Sequence, residues 1–220
     1  MMNNSKPSAP QLIIFDCDGV LVDSEGLMNQ VWVDALAEQG LMMTVEEAIF
    51  LFRGRKMAEC VADVEARLGG KLPLNFVPDY RSRTAEVFRT DLKPIPFITE
   101  ALDRISIPSC VASSGPTEKI NLALEVTGLL PRFEGRLFSA YEVGVWKPDP
   151  GLFLHAAKMM EVPASECIVI EDSVPGVQAG IAAGMHVLGY AAVEHDVPLL
   201  ASQGAHVFRS MQDLPAMLGF

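Results

Sequence analysis

The sequence predicts an α/β fold, a doubly wound parallel sheet with a second, small domain made only of helices. Three observations support this prediction. Short apolar runs alternate with helical patterns along much of the 220 residues. The runs are continuously apolar rather than alternating, which is typical of parallel strands that are buried on both faces. The stretch 27–92 contains helical patterns but no convincing strand, which indicates a helical insert.

The first predicted strand is LIIF at 12–15, which runs into a polar break. After the insert, apolar runs predict further strands at 109–113, 136–140, 167–171, 185–190 and 205–208. Helical patterns lie between them at 96–105, at 116–127, and from an Asp149-Pro150 helix start to about residue 160. Because strand–helix alternation produces right-handed crossovers, these elements predict one parallel sheet covered by helices.

The insert contains four helical patterns. Apolar stripes at helical spacing occur at 27–36, 57–68 and 80–88, and Thr44 and Glu47 have the spacing of a capping box before another helix. We therefore assign 27–92 to the helical domain, 11–26 and 93–220 to the sheet domain, and 1–10 to a polar tail.

Composition excludes several classes of function. The chain carries 17 basic and 28 acidic residues, a net charge of −11, so it lacks the basic surface that nucleic acids or anionic membranes would need. The N-terminus has no apolar segment typical of a secretory signal, and no apolar run is long enough to span a bilayer. The cysteines, Cys17, Cys60, Cys110 and Cys167, have no metal-like spacing. We expect free thiols and a cytoplasmic protein, either a monomer or a small homo-oligomer.

Acidic pairs follow two of the predicted strands. Asp16 and Asp18 come directly after the first strand and project to the same side, and Glu171 and Asp172 close the strand at 167–171. Each pair has a simpler explanation, an Asp-Gly turn for the first and acidic residues in the first turn of a helix for the second. Two acidic pairs at the ends of strands in one sheet favour a site for a hard cation such as Mg²⁺.

Two further features would bind a phosphate. Ser113 and Ser114 end a strand and precede Gly115 and a helix, so hydroxyls and free backbone N–H groups meet there. Lys147 lies in the loop WKPDP, where prolines stiffen the chain. A Ser/Gly turn and a solvated surface lysine are the simpler alternatives.

In chain order these features are DxDGV, then serine, then Lys-Pro-Asp-Pro, then Glu-Asp, and this order resembles the haloacid dehalogenase superfamily of phosphohydrolases. The resemblance extends over the chain from about residue 11. The segments DCDGVLVDSE and IEDSVPGVQAGIAAGM look like the β-phosphoglucomutase-like subgroup. Members of that subgroup carry a helical cap after the first strand, which the helical insert matches.

The resemblance implies a phosphohydrolase mechanism. Asp16 would attack phosphorus and form an aspartyl-phosphate, and Asp18 would protonate the leaving oxygen and later deprotonate water. We expect acidic neighbours to raise the pKa of Asp18 for this purpose. Ser113 and Lys147 would bind the transferring phosphoryl group.

The resemblance also implies a Mg²⁺ ion. It would be held by Asp16, the backbone carbonyl of Asp18 and Asp172, with Glu171 assisting directly or through water. Mg²⁺ and a lysine would then neutralise charge where an anionic nucleophile approaches an anionic phosphate.

Basic residues of the cap are candidates for reading the leaving group. Arg55 and Lys56 follow a predicted helix, and in relatives a loop of this type faces the active site. They would suit a second anionic group, so the expected substrate is a small sugar phosphate or a sugar-acid phosphate such as 6-phosphogluconate. A solvated helix end is the alternative for this pair. Arg81 and Arg83 are weaker candidates.

Other activities fit the sequence less well than a phosphatase. A dehalogenase would lack Asp18, and a receiver-type signalling module would lack a helical insert of this size. The remaining alternative is a phosphomutase of the β-phosphoglucomutase type. Mutase relatives carry a histidine twelve residues after the nucleophile, where this chain has Met28, which can neither donate to a carboxylate nor take a proton. Hydrolysis is therefore the expected outcome.

Overall fold

The computed structural model describes residues 10–220, so the predicted tail at 1–10 lies outside the described residues except for Pro10. Six strands form a single parallel sheet in these residues. They are β1 (Leu12–Phe15), β2 (Ser109–Ser113), β3 (Leu137–Ser139), β4 (Cys167–Glu171), β5 (His186–Tyr190) and β6 (His206–Phe208). Every predicted strand is present, and each lies within about one residue of its predicted bounds.

The strand order is β3-β2-β1-β4-β5-β6, which is the order of a doubly wound α/β sheet. The direction of winding reverses between β1 and β4. At this point Phe15 of β1 pairs with Ile170 of β4 on one side and with Val111 of β2 on the other. Because all six strands are parallel, their carboxyl ends meet at one edge. Ligands bind at the reversal point of such sheets, so this edge is where the functional residues are expected.

Helices cover both faces of the sheet. They are α5 (Ile98–Arg104), α6 (Thr117–Val126), α7 (Leu130–Phe133), α8 (Ala140–Val143), α9 (Gly151–Met159), α10 (Val174–Ala182), α11 (Asp196–Ser202) and α12 (Leu214–Met217). Alternate residues of β1 enter different cores, because successive side chains of a strand point to opposite faces. Ile13 and Phe15 pack into one apolar cluster, and Leu12 and Ile14 pack into the other.

Four helices lie between β1 and α5 and form a separate apolar core. They are α1 (Glu25–Ala37), α2 (Val45–Phe52), α3 (Met57–Leu68) and α4 (Phe76–Asp91). The predicted capping box is present, since Thr44 Oγ1 accepts from the N–H of Glu47 while the Glu47 carboxylate accepts from the N–H of Thr44. Trp32 is at the centre of this core, with ring centroids 5.9, 5.4 and 5.0 Å from Phe52, Phe76 and Tyr80. We call these four helices the cap.

One predicted helix start differs from the structure. Asp149 does not cap α9 in the usual way; its Oδ1 accepts from the N–H of Gly151 at 2.8 Å, and the helix begins at Gly151. The short Asp side chain bonds the backbone two residues on, which delays the helix by one residue. Among residues 10–220, no helix is both long and apolar enough to cross a membrane.

Candidate active site

The polar residues predicted from three strand ends meet at the carboxyl edge of the sheet. Asp16 directly follows β1, and its N–H donates to the carbonyl of Ile170 in β4 at 2.9 Å. Ser113 ends β2, and Glu171 ends β4 with Asp172 next in the chain. All four side chains are buried. Parallel pairing of neighbouring strands therefore brings together groups that are far apart in the sequence.

Lys147 connects the two acidic pairs. Its ammonium donates to Asp16 Oδ1 at 2.7 Å and to Glu171 Oε1 at 2.6 Å, and it lies 4.8 Å from the centre of the Phe153 ring. Burial would lower the pKa of Lys147, but the two carboxylates outweigh it, and the net pKa is raised. The lysine therefore stays charged beside Asp16.

Both carboxylate oxygens of Glu171 accept hydrogen bonds from other groups of the protein. One carboxylate oxygen accepts from Lys147, and the other accepts from the N–H of Asp172 at 2.9 Å, the N–H of Ser173 at 2.9 Å and Ser173 Oγ at 3.0 Å. Glycine is required at position 176, because a Cβ there would lie 1.9 Å from the Glu171 carboxyl carbon. These contacts indicate that Glu171 anchors Lys147.

Asp172 has no such partners. Within residues 10–220 its carboxylate receives no hydrogen bond and no ion pair, although it is buried beside Gly19, where a Cβ would come within 2.2 Å of Asp172 Oδ2. Burial, and then the nearby Glu171, Glu25 and Asp16, raise the pKa of Asp172 well above its usual range. A buried carboxylate without a partner is costly, and a bound cation would remove this cost.

The donor set suits a hard divalent cation. One carboxylate oxygen from each of Asp16, Glu171 and Asp172 lies within 4.8 Å of the others. Burial, with the nearby Glu171 and Asp18, raises the pKa of Asp16 to about 7 even though Lys147 lowers it. Oxygen ligands of this kind fit Mg²⁺. Because both oxygens of Glu171 are already engaged, Asp16 and Asp172 are the carboxylates best placed to hold the ion.

Asp18 lies in a different environment from the one predicted. Ser24 Oγ donates to its Oδ1 at 2.7 Å, and the ammonium of Lys119 forms an ion pair with its Oδ2. Burial raises the pKa of Asp18, but Lys119 and these hydrogen bonds outweigh burial, and the net pKa is lowered. The expectation of a pKa raised by acidic neighbours is therefore wrong for this arrangement, because a lysine holds the carboxylate in its charged form.

Sequence reasoning missed Lys119. It occupies the first turn of α6, four residues after Gly115. A signal was available, because the N-terminus of a helix favours acidic side chains and a lysine there is electrostatically unfavourable. A basic residue in the first turn after a predicted phosphate loop is best explained by an anion nearby.

The serines of the phosphate loop have unequal roles. Ser113 Oγ accepts from the N–H of Gly115 at 3.1 Å. The Ser114 hydroxyl is buried and finds no hydrogen-bond partner within residues 10–220. Because an unpaired buried hydroxyl is costly, Ser114 has donor and acceptor capacity left for a ligand.

A cavity of about 420 Å³ lies between the cap and the sheet edge. Asp16, Asp18, Ser114 and Lys147 line its floor, and Met28 of α1 is part of the wall. The volume is in the range of pockets for small molecules.

The two predicted leaving-group residues are placed differently. Arg55 lines the cavity, and its guanidinium donates to Asp63 at 2.6 Å within the cap. Lys56 lies outside the cavity wall among the described residues, with its ammonium 3.9 Å from the centre of the Trp146 ring. That contact joins the cap to the loop that carries Lys147.

Other arginines of the cap also differ in position. Arg81 lines the cavity and donates to Tyr141 Oη at 2.8 Å, whereas Arg83 bonds both oxygens of Glu38 at 2.5 and 3.0 Å. Arg53, which belongs to the same basic cluster as Arg55 and Lys56, lines the cavity and donates to the buried Asp196 of the sheet domain at 2.9 Å. The Arg53–Asp196 ion pair holds the cap loop against the sheet domain.

Comparisons with known proteins identify the family of the chain. A sequence model of the haloacid dehalogenase-like hydrolases matches residues 10–184. The 6-phosphogluconate phosphatase of Escherichia coli strain K12 is 36% identical over 208 residues, which cover 94% of this chain and 94% of that protein.

Solved structures agree as well. A conserved haloacid dehalogenase-like protein of unknown function from Agrobacterium tumefaciens str. C58 has a TM-score of 0.83 at 35% identity, covering 94% of this chain and 97% of that chain. A hydrolase of the same family from Deinococcus radiodurans R1, crystallised with phosphate and sodium, has a TM-score of 0.75 at 31% identity, with 96% of each chain covered.

Proposed function

This chain belongs to the haloacid dehalogenase-like hydrolase family, and from that premise we propose that it is a Mg²⁺-dependent phosphatase of small sugar phosphates or sugar-acid phosphates. The observation that carries the proposal is the buried cluster of Asp16, Lys147, Glu171 and Asp172 on the floor of the cavity between the cap and the sheet edge. A nucleophile, a fixed cation and a candidate metal site converge there on one small volume.

In the proposed mechanism the carboxylate of Asp16 attacks phosphorus in line and forms an aspartyl-phosphate, while the ester oxygen leaves. Lys147, held by Glu171, neutralises charge on the transferring phosphoryl group, and the Ser113 and Ser114 region supplies hydrogen bonds. A Mg²⁺ ion held by Asp16, Asp172 and the backbone carbonyl of Asp18 would add positive charge at the phosphoryl oxygens.

Asp18 serves the proton transfers. It gives a proton to the leaving oxygen in the first step and takes one from the attacking water in the second, which regenerates Asp16 and releases phosphate. The pKa of Asp18 is lowered by Lys119, so the proposal requires the substrate to change this contact. The cap covers the cavity and limits the water that can reach the intermediate.

Basic residues in the wall of the cavity favour a substrate with an anionic leaving group. Arg53, Arg55, Arg81 and Arg89 all line it. A sugar-acid phosphate would place its carboxylate among these cations, and 6-phosphogluconate, the substrate in the name of the Escherichia coli relative, is the compound we propose to test first.

Met28 favours hydrolysis over phosphoryl transfer to a second sugar. It lines the cavity at the position where mutase relatives carry a histidine, and its thioether cannot donate a hydrogen bond to the Asp18 carboxylate. The mutase alternative therefore lacks the group expected to delay attack by water.

Phosphate release from a panel of phosphorylated metabolites, with and without Mg²⁺, tests the proposal. We expect Mg²⁺-dependent release from 6-phosphogluconate or a related sugar phosphate. No release from any compound, generic aryl phosphates included, would overturn it. A second assay supplies a hexose 1-phosphate with a catalytic amount of the bisphosphate. Accumulation of the 6-phosphate faster than inorganic phosphate would replace the phosphatase with a mutase.

A further inference from the structure

Among residues 10–220, Lys119 is the one cation of the cavity that contacts the proposed acid/base directly. Its ammonium forms an ion pair with Asp18 Oδ2, and both side chains are mostly buried, with 19% and 16% of their surfaces exposed. An ammonium has three donors. Within residues 10–220 only one of these, the bond to Asp18, is used. The other two remain for a ligand in the cavity.

The surroundings of Lys119 place its ammonium beside the phosphate loop, on the side where the leaving group of a substrate would lie. On one side, a Cβ added at Gly115 would lie 3.7 Å from the Lys119 Nζ, so the ammonium is next to the loop that begins at Ser113. On the other side it lies 5.9 Å from the centre of the Phe88 ring of the cap helix α4. Lys119 is therefore between the phosphate loop, the acid/base and the cap.

This position limits which substrate atoms the lysine can reach. An acid must come within hydrogen-bond distance of the oxygen that it protonates, about 2.6–3.2 Å. Because Lys119 is in contact with Asp18, its ammonium lies within two such bonds, about 6 Å, of the ester oxygen. An oxygen on the carbon next to the ester carbon lies in that space, whereas a carboxylate at the far end of a sugar acid does not.

We propose that Lys119 recognises an oxygen substituent on the carbon adjacent to the phosphoester carbon, so that the enzyme selects polyol and sugar phosphates over simple alkyl phosphates. The inference rests on the proposed phosphatase function and adds the residue that reads the leaving group near the reacting bond. The competing explanation is that Lys119 is only a fixed counter-ion of Asp18, which would affect all substrates equally.

Two matched substrates separate these explanations. Glycerol 3-phosphate has a hydroxyl on the adjacent carbon, and 3-hydroxypropyl phosphate lacks only that hydroxyl. A hydrogen bond to a charged donor changes affinity by about tenfold to a hundredfold. We therefore expect kcat/KM of the wild-type protein with Mg²⁺ to favour glycerol 3-phosphate by at least about tenfold.

The variants test whether Lys119 is the cause. Lys119→Met should bring the ratio of the two kcat/KM values close to one. Lys119→Gln should retain part of the preference, because its amide still donates. Lys158→Met, at an exposed lysine of α9, should leave the ratio unchanged. Circular dichroism establishes that each variant is folded, and if a Lys119 variant does not fold, the wild-type ratio remains the test.

Each contrary outcome has a distinct meaning. If Lys119→Met lowers both kcat/KM values by the same factor, or if the wild-type protein does not discriminate, the inference is overturned. Hydrolysis of p-nitrophenyl phosphate without hydrolysis of glycerol 3-phosphate also overturns the inference and leaves the phosphatase function standing. Only if neither these three compounds nor any member of the metabolite panel, 6-phosphogluconate included, releases phosphate is the phosphatase function itself overturned.

Discussion

Glu171→Gln is expected to destabilise the protein even though it keeps the shape of the side chain. The Glu171 carboxylate accepts four hydrogen bonds, one from Lys147 at one oxygen and three at the other. Glutamine has one acceptor oxygen and one NH₂ group. If the oxygen faces the three donors, the NH₂ faces the Lys147 ammonium; if it is turned round, the NH₂ opposes three donors. Neither orientation satisfies the site.

The expected loss of stability depends on how deeply the Lys147–Glu171 ion pair is buried and on the bonds that Lys147 keeps in the variant. The side chains of Lys147 and Glu171 are 2% and 1% exposed, so solvent does not replace the lost interaction. Breaking a buried ion pair costs about 3–5 kcal/mol. Lys147 keeps its bond to Asp16 at 2.7 Å, which limits the loss to the lower end, about 3 kcal/mol. For a chain of this size, that loss corresponds to a fall in Tm of about 6–12 °C.

Thermal unfolding followed by far-ultraviolet circular dichroism, with EDTA present to exclude divalent ions, measures this change. Glu86→Gln is the matched control, because Glu86 is exposed on α4. The control should leave Tm within about 2 °C of the wild type, as surface substitutions usually do. A Glu171→Gln protein that melts together with the control would refute the argument that these four hydrogen bonds anchor Lys147.

Four further substitutions test the candidate site. Asp16→Asn should abolish phosphate release while the circular dichroism spectrum stays native, because the amide lacks the nucleophilic charge; near-wild-type release would remove Asp16 from the mechanism. Asp172→Ala should raise the Mg²⁺ concentration for half-maximal activity by about tenfold or more, since a metal ligand is lost, and an unchanged titration curve would contradict this role. Arg55→Ala and Lys56→Ala should raise KM for 6-phosphogluconate more than for a small aryl phosphate, with the larger effect at Arg55, which lines the cavity. Equal increases for both substrates would mean that neither residue reads the leaving group.

Most of the fold and part of the candidate site could be predicted from the sequence. The strand at 12–15 and the acidic residues after it were recognisable because buried parallel strands form continuous apolar runs. The grouping of Asp16 with Asp172 followed because the carboxyl ends of parallel strands meet at one edge. The environment of Asp18 was not predicted, because the position of Lys119 at a helix N-terminus indicates an anion nearby but does not identify that anion as Asp18.

The sequence by itself determined the parallel sheet, the helical insert and the polar residues at the strand ends, since each depends on neighbouring residues and on the geometry common to all such sheets. Tertiary structure decided which charges meet. Lys119 and Asp18 are 101 residues apart, and Lys147 and Asp16 are 131 apart. Contacts of this kind depend on how α6 and the loop before α9 pack against the sheet edge. The packing of side chains from distant segments sets the pKa of Asp18, the partners of Glu171 and the charge that faces a substrate. The order of residues along the chain does not by itself specify this packing.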